Sequence, residues 1–369
     1  MDPAASPYVA GVDVGGTGIK AGLFCPGPRA GLDLRLEFRV PTPRAEGPDA
    51  IVAAVLGAVT SAVDRGVRRF GAGPAAVGLA VLGLIDEAAG VATASAATGW
   101  RDVPLRALVQ RTAGVPVGFG HDLRAAAMAE ARLGAGRGVD SFLFVALGTG
   151  IGSALVLNGV PLAAAHGRAG EIGHIPVRGH DDPCPCGAAG CLETVASARS
   201  IADRYTRRLG WAPGVPVGPG GAGSGGPASG GPASGGPASG GPASGGPAFG
   251  GPVTAAEVAD LVEQGDPDAV AVWTEAVEAL AEVLAGCVAM VDPAAIVVGG
   301  GLARSGELLL APLRAALAAR VAFGPPPPVT AAALGDRAAL VGAGLLAMDA
   351  LNGFDGGRRA ESDQTGVGR

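Results

Sequence analysis

The sequence predicts an α/β protein built as two similar lobes around a cleft, and three observations carry that expectation. Two segments repeat one pattern: VAGVDVGGTGIKAGLF from Val9 and FLFVALGTGIGSALVL from Phe142 are each an apolar run, a glycine-rich turn and a second apolar run, and Gly-Thr-Gly-Ile recurs at Gly16 and Gly148. A duplicated fold is the natural reading of such self-similarity. After each repeat, strand-like runs alternate with longer segments of helical period, the order of a mixed layered fold. A chain of 369 residues with 48% hydrophobic content is long enough to bury two cores.

Taken in order, the first repeat reads as a hairpin whose glycines permit positive φ and close approach of an outside group. A third strand-like run covers residues 32–40, an apolar helix 48–64 and a buried run 76–85, which gives βββαβ. A helix over 103–111 and a strand over 115–119 follow, and HDLRAAAMAEARLG then reads as a helix opening at His121 or Asp122. The second hairpin restarts the cycle. Helices are expected again over 254–264 and 267–290, then a strand over 295–298, a glycine cluster, a helix from Ser305 and a last helix over 338–351.

This order places an N-terminal lobe over 1–118, joined by helix 338–351, and a C-terminal lobe over 119–337. Residues 213–252 degenerate into GGPAS repeats without the apolar side chains that offset ordering entropy, so a disordered insertion is expected there, and a disordered polar tail over 353–369.

Composition excludes several classes. A formal net charge of -6 without a basic block gives no electrostatic footprint for nucleic acid. No long uninterrupted apolar run argues for a membrane span, and MDPAASPYVAG lacks a signal-peptide pattern, so cytoplasmic residence is expected. Of five cysteines, Cys25 and Cys287 are isolated and the others clustered, which disfavours a disulfide framework.

That cluster lies in EIGHIPVRGHDDPCPCGAAGCLE, from Glu171 to Glu193. Cys184, Cys186 and Cys191 with His174 would complete a closed Cys3His set of the kind tetrahedral zinc prefers, as a structural site. Pro185, Gly187 and Gly190 suit the reversals needed for the thiols to face one ion. His180 is the rival fourth ligand, but it stands among Arg178, Asp181 and Asp182 as a solvated loop residue would. Three reduced loop cysteines without metal is the competing reading.

Three glycine clusters sit at strand ends. The first follows Asp13, whose carboxylate beside backbone N–H groups suits a hydrated Mg2+ shared with nucleotide phosphates. Gly148, Thr149, Gly150 and Gly152 offer amides to an anion, and Gly299, Gly300 and Gly301 between strand and helix would let an adenine or ribose approach the backbone. Any one of these is also an ordinary turn, and the Walker pattern is missing, since Lys20 does not follow such a loop. Asp122, after VPVGF and near a helix N-terminus, could protrude into a cleft and accept a hydroxyl proton, or merely cap the helix.

DVGGTGIK, GHDLRAAAMAEARLGAG, LGTGIG, HGRAGEIGH, CPCGAAGCLE and VVGGGLARSG stand in the order of the ROK family of bacterial sugar kinases and repressors, which the chain resembles outside the GGPAS insertion and tail. The resemblance implies an actin-like, ribonuclease-H-like ATPase fold with duplicated βββαβα lobes around a cleft. It also implies ATP, Mg2+ and phosphorylation of a hexose hydroxyl by a glucokinase-like kinase, as a homodimer. Carried over by position, Asp122 would be the catalytic base. Glu171, His174 and Glu193 would contact sugar hydroxyls, His174 ligating zinc as well. Gly15, Gly16, Thr17, Gly148, Thr149 and Gly150 match the phosphate loops, and Gly299, Gly300 and Gly301 the adenosine loop.

Three departures stand out. His121 replaces the Asn that usually precedes the base and contacts sugar, Ala97 stands where Asn is frequent, and Gly18 replaces a common lysine. The first two weaken a preference for glucose and leave open an N-acylhexosamine or other hexose kinase, or a catalytically weak sugar-sensing regulator. The family's repressors carry a winged helix-turn-helix before the first glycine loop, and here that loop follows a single strand, so a kinase is expected.

Overall fold

Two five-stranded sheets share one strand order in the computed structural model, which describes residues 8–27, 31–211 and 252–353. The expected disorder over 213–252 and 353–369 falls, apart from Pro252 and Gly353, outside the described residues.

In the first sheet β1 (Val9–Val14), β2 (Gly18–Pro26) and β3 (Leu32–Pro41) form an antiparallel meander, and β4 (Val77–Val81) runs parallel to β1. Next come β5 (Leu84–Asp86), β6 (Val91–Ala94) and β7 (Arg101–Val103), a separate three-stranded sheet. Then β8 (Val117–His121) returns parallel to β4, giving β3-β2-β1-β4-β8. The second sheet repeats the scheme: β9 (Ser141–Leu147), β10 (Ile151–Leu157) and β11 (Val160–Pro161) form the meander, and β12 (Ala295–Gly299) and β13 (Val329–Ala331) add in parallel as β11-β10-β9-β12-β13. The expected duplication is therefore present strand for strand. β1 is buried along its whole length, as a central strand reads, whereas β3 alternates half-buried and exposed residues at the edge.

Helix α1 (Pro48–Phe70) starts with Pro48 in its first turn and stops at Gly71, at φ 77°. It runs past the expected end at 64 because Gly66 is a packing position: a Cβ there would lie 2.0 Å from Tyr8 Oη, and the Tyr8 ring stacks on Phe70 at 4.8 Å. α1 is long and apolar enough to cross a membrane by length and composition, but its Ile51, Val55, Val59 and Ala62 are buried against β1 and β2.

The run 76–85, expected as one strand, is two. Gly83 at φ 90° turns the chain, and Ile85 joins the small sheet. The helix expected over 103–111 is α2 (Leu105–Ala113), displaced because residues 101–103 pair with β6. The strand expected over 115–119 lies two residues later, as β8, and the expected lobe boundary at 118 falls inside it.

α3 (Asp122–Leu133) follows directly on β8. In the second lobe α4 (Leu192–Ala196), α5 (Ala198–Arg208), α6 (Ala255–Glu263), α7 (Pro267–Val291) and α8 (Glu307–Ala318) build the largest core with β9 and β12, centred on Tyr205, Trp273, Leu280 and Leu313. α9 (Ala338–Leu351) crosses back to β1, β4 and β8 of the first sheet and packs on α3. It does so on a row of glycines in register, Gly11, Gly78 and Gly118. A Cβ at Gly78 would lie 1.7 Å from Ala343 O, so the helix backbone rests directly on the strands.

Candidate functional site

Strand β8 and helix α3 meet at the pair His121 and Asp122, which sequence reading placed either side of a helix start. His121 is the N-cap: its Nδ1 accepts the Leu123 amide at 3.3 Å. The same amide donates to Asp122 Oδ1 at 2.7 Å, which leaves Oδ2 without a protein partner among the described residues. Burial pushes the Asp122 carboxyl up to about 6, against the opposing pull of the Leu123 amide and Arg124. Burial drives His121 the other way, down to about 4, helped by the Arg124 charge and opposed by Glu171 and Glu87. His121 is therefore a neutral imidazole at physiological pH.

Asp13, buried on β1, is also pushed up to about 6 by burial; Lys20 Nζ, 3.6 Å away, opposes the shift and the charge of Asp122 adds to it. The two carboxylates thus lie close enough to feel one another. Crowded acids of this kind suit a divalent cation, and Asp13 is the residue whose chemistry fits a hydrated Mg2+.

Both glycine hairpins leave amides unclaimed. Gly15 N bonds Gly18 O and Gly148 N bonds Gly150 O, which closes each turn. The amides of Gly16, Thr17, Thr149 and Gly150 find no acceptor among the described residues, the state of an anion-binding turn. Thr42, buried behind the first turn, donates its Oγ1 to Gly15 O at 2.7 Å and its amide to Thr17 O at 3.2 Å. Glu193 holds the second turn, its Oε2 accepting the Ile151 amide at 2.8 Å. The third cluster lies beside that turn: Gly300, at φ 86°, packs so closely that a Cβ would sit 2.4 Å from Leu147 O, while Gly301 faces open space. Gly152 leaves room for the Leu123 side chain, 2.4 Å from where a Cβ would stand.

The cysteine loop brings its four candidate ligands together. The ligand atoms of His174, Cys184, Cys186 and Cys191 all lie within 4.8 Å of one another. Cys186 Sγ is 3.7 Å from Cys191 Sγ, and Cys184 Sγ 3.6 Å from His174 Nδ1. A tetrahedron with the usual Zn–S and Zn–N bonds has edges of about 3.8 and 3.6 Å, so the donor set fits zinc. Burial and the two neighbouring thiols push Cys191 up to about 12, so three thiolates could gather there only around a cation. His180, the rival ligand, is not in the group. With Nδ1 toward the thiols, His174 turns Nε2 toward Glu171, 3.9 Å from its Oε2. Gly170 and Gly173 seat this loop on β10, with Gly170 O accepting both the amide and the hydroxyl of Ser153.

Sequence reading missed Thr42, Glu87 and Arg124. Glu87, in the turn after β5, receives the His121 amide at 3.0 Å and Arg124 Nε at 3.0 Å, both on Oε1. Arg124 is buried and stands two residues from Asp122, in the first turn of α3. A buried arginine in an alanine-rich stretch, RAAAMAEAR, was the available signal.

Known proteins carry the same plan. Residues 9–350 match the family described as ROK. The chain is similar to a glucokinase of Halalkalibacterium halodurans, 30% identical over 359 residues that cover 96% of this chain and 99% of that protein. Among solved structures, a ROK family glucokinase from Streptomyces griseus in complex with glucose and AMPPNP superposes with a TM-score of 0.72 at 30% identity, covering 93% of this chain and 99% of that one. A ROK hexokinase from Thermus thermophilus gives a TM-score of 0.70 at 30% identity over 94% and 99%.

Proposed function

The chain belongs to the ROK family, and we propose that within it this protein is an ATP-dependent, glucokinase-like hexose kinase with Asp122 as the catalytic base. One observation carries the reading. Asp122 is fixed at the start of α3 with one carboxylate oxygen unengaged, at a pKa of about 6 that leaves it ionised yet basic at neutral pH.

In the proposed reaction a sugar hydroxyl donates its proton to Asp122 Oδ2 as its oxygen attacks the γ-phosphorus of ATP, and ADP leaves with the electron pair of the broken bond. The unclaimed amides of Gly16, Thr17, Thr149 and Gly150, with Gly15 and Gly148 shaping the turns, would hold the phosphates, and Gly299, Gly300 and Gly301 would take the adenosine. Asp13 would hold Mg2+ through water, and the ion would neutralise phosphate charge. Glu171, His174, Glu193 and His121 would contact the sugar. His174, Cys184, Cys186 and Cys191 would hold a structural zinc, whose charge lets the thiolates gather and the loop keep one shape.

We further propose a cytoplasmic homodimer, with hexose and ATP as partners and neither nucleic acid nor membrane among them. The lobes we assign to 1–118 with 338–351 and to 119–337. His121 and Ala97 support a second reading, in which the preferred sugar is an N-acylhexosamine or the protein senses sugar with little turnover.

The test is ADP release in the presence of ATP, Mg2+ and a panel of hexoses and N-acylhexosamines. Turnover with glucose or mannose supports the first reading and preference for an N-acyl sugar the second. Sugar binding without ADP release from any member overturns the kinase assignment.

A further inference from the structure

Three segments converge behind Asp122 on one ion pair, a buried Arg124 on a half-buried Glu87, that no part of the proposed reaction employs. Arg124 extends from the first turn of α3 and places Nε and Nη2 on Glu87 Oε1, at 3.0 and 2.8 Å. Its Nη1 points to Gly167 O at 3.4 Å, in the loop that leads to Glu171. Glu87 Oε1 also accepts the His121 amide at 3.0 Å. The turn that carries Glu87 is itself held, because Arg106 of α2 donates to the carbonyls of Glu87 and Ala88. One carboxylate oxygen thus ties the small sheet, the end of β8 and the first turn of α3.

Through its amide the pair holds His121, whose ring adjoins Asp122. Leu123 N–H faces the Nδ1 of His121, so that nitrogen must present its lone pair and the imidazole proton must sit on Nε2. Among the described residues Nε2 has no protein partner and is not one of the fully buried unpaired atoms, which leaves it reachable by a ligand. The charges around the ring are Asp122 at 3.3 Å from Nδ1, with Arg124, Glu87 and Glu171. A proton on Nδ1 would meet the Leu123 amide hydrogen, which already faces that nitrogen. The adjoining guanidinium disfavours a doubly protonated ring. An asparagine at this position could both donate and accept; this histidine can only donate.

We propose that Glu87 and Arg124 are positioning residues for the sugar site, holding His121 so that its Nε2–H is presented to a substituent of the sugar that carries a lone pair. This inference rests on the hexose-kinase reading for its ligand, though not for the state of the ring. The substituent opposite His121 is then a hydroxyl or a carbonyl oxygen and not an ammonium group.

The test has two arms. Long-range nitrogen–proton NMR of the full chain, with the His121 signals among the four histidines assigned through His121→Asn, should show one tautomer protonated on Nε2 and no titration between pH 5.5 and 8. A ring protonated on Nδ1, a tautomer mixture or titration in that range overturns the proposal, whether or not the protein turns over sugar. Steady-state kinetics with D-glucose and ATP form the second arm. Glu87→Gln and Arg124→Met should raise the sugar KM about tenfold and leave the ATP KM and kcat within about threefold, and Arg124→Lys should recover part of the loss. Equal losses in both KM values, or a parent-like sugar KM in Arg124→Met, would show a merely structural pair. If no sugar is phosphorylated, the kinase reading fails while the NMR arm still judges the histidine, and if Arg124→Met does not fold, the unsubstituted protein decides.

Discussion

Replacing Asp122 by Asn should separate activity from stability in opposite directions. The side chain is 22% exposed, and burial raises its pKa from 3.8 to about 6. An acid whose folded pKa lies above its unfolded value binds its proton more tightly when folded. The folded state is therefore penalised as pH rises from the lower value to the higher. Two units correspond to about 3 kcal/mol of penalty at pH 7, about half of that at pH 5, and nothing below the unfolded pKa. Asn carries no charge, and its Oδ1 still accepts the Leu123 amide. Asp122→Asn should thus be more stable than the parent at pH 7, by up to about 3 kcal/mol and several degrees in Tm, with the gain shrinking toward pH 4. Turnover should fall about 10²- to 10⁴-fold, the usual contribution of a positioned base, with the sugar Kd little changed. The assays are ADP release, sugar titration and thermal melts at pH 4, 5, 6 and 7. A variant with turnover near the parent's, or one that melts lower at pH 7, would refute the reasoning.

Other consequences are equally measurable. Protein purified without chelator should contain about one zinc per chain by elemental analysis; Cys186→Ser, at an exposed ligand, should lower that content and raise the sugar KM more than the ATP KM. Zinc-free protein of parent-like sugar affinity would refute a structural metal. Thr42→Val keeps the shape but leaves Gly15 O without its buried donor, a cost of about 1–2 kcal/mol that should appear as a higher ATP KM at constant sugar KM. The hydroxyl does not shape the phosphate turn if both constants stay at parent values.

The parts that the sequence disclosed are those whose chemistry is local. A glycine turn between two apolar runs, a cysteine cluster within eight residues and an acid at the start of a helix each carry their signal in adjacent positions. The unseen parts depend on pairs far apart in the chain. Thr42 meets Gly15, Glu87 meets Arg124, and Gly11, Gly78 and Gly118 line up only once three strands are in register. The strands of the small sheet, three and four residues long, are too short to show a period, so the run 76–85 read as one strand. Gly66 likewise meets a residue far away in the chain, since its missing Cβ is what admits the Tyr8 ring.

The placement of Asp122 bears on how the proposed base would be kept in register. Its backbone continues β8 of the first sheet, while Leu123, the next residue, fills the space over Gly152 of β10 in the second. α3 also packs on α9, which the glycine row holds against the first sheet. Asp122, the proposed base, is therefore anchored to both sheets. Thr17 and Thr149, on the two phosphate turns, project from the strand ends of separate sheets. In the two-lobed arrangement we propose, a change in the angle between the sheets would act on the spacing of these two turns. On the proposed reading, closure on ATP would then carry the γ-phosphate toward Asp122 already in place, with the Glu87–Arg124 pair behind it.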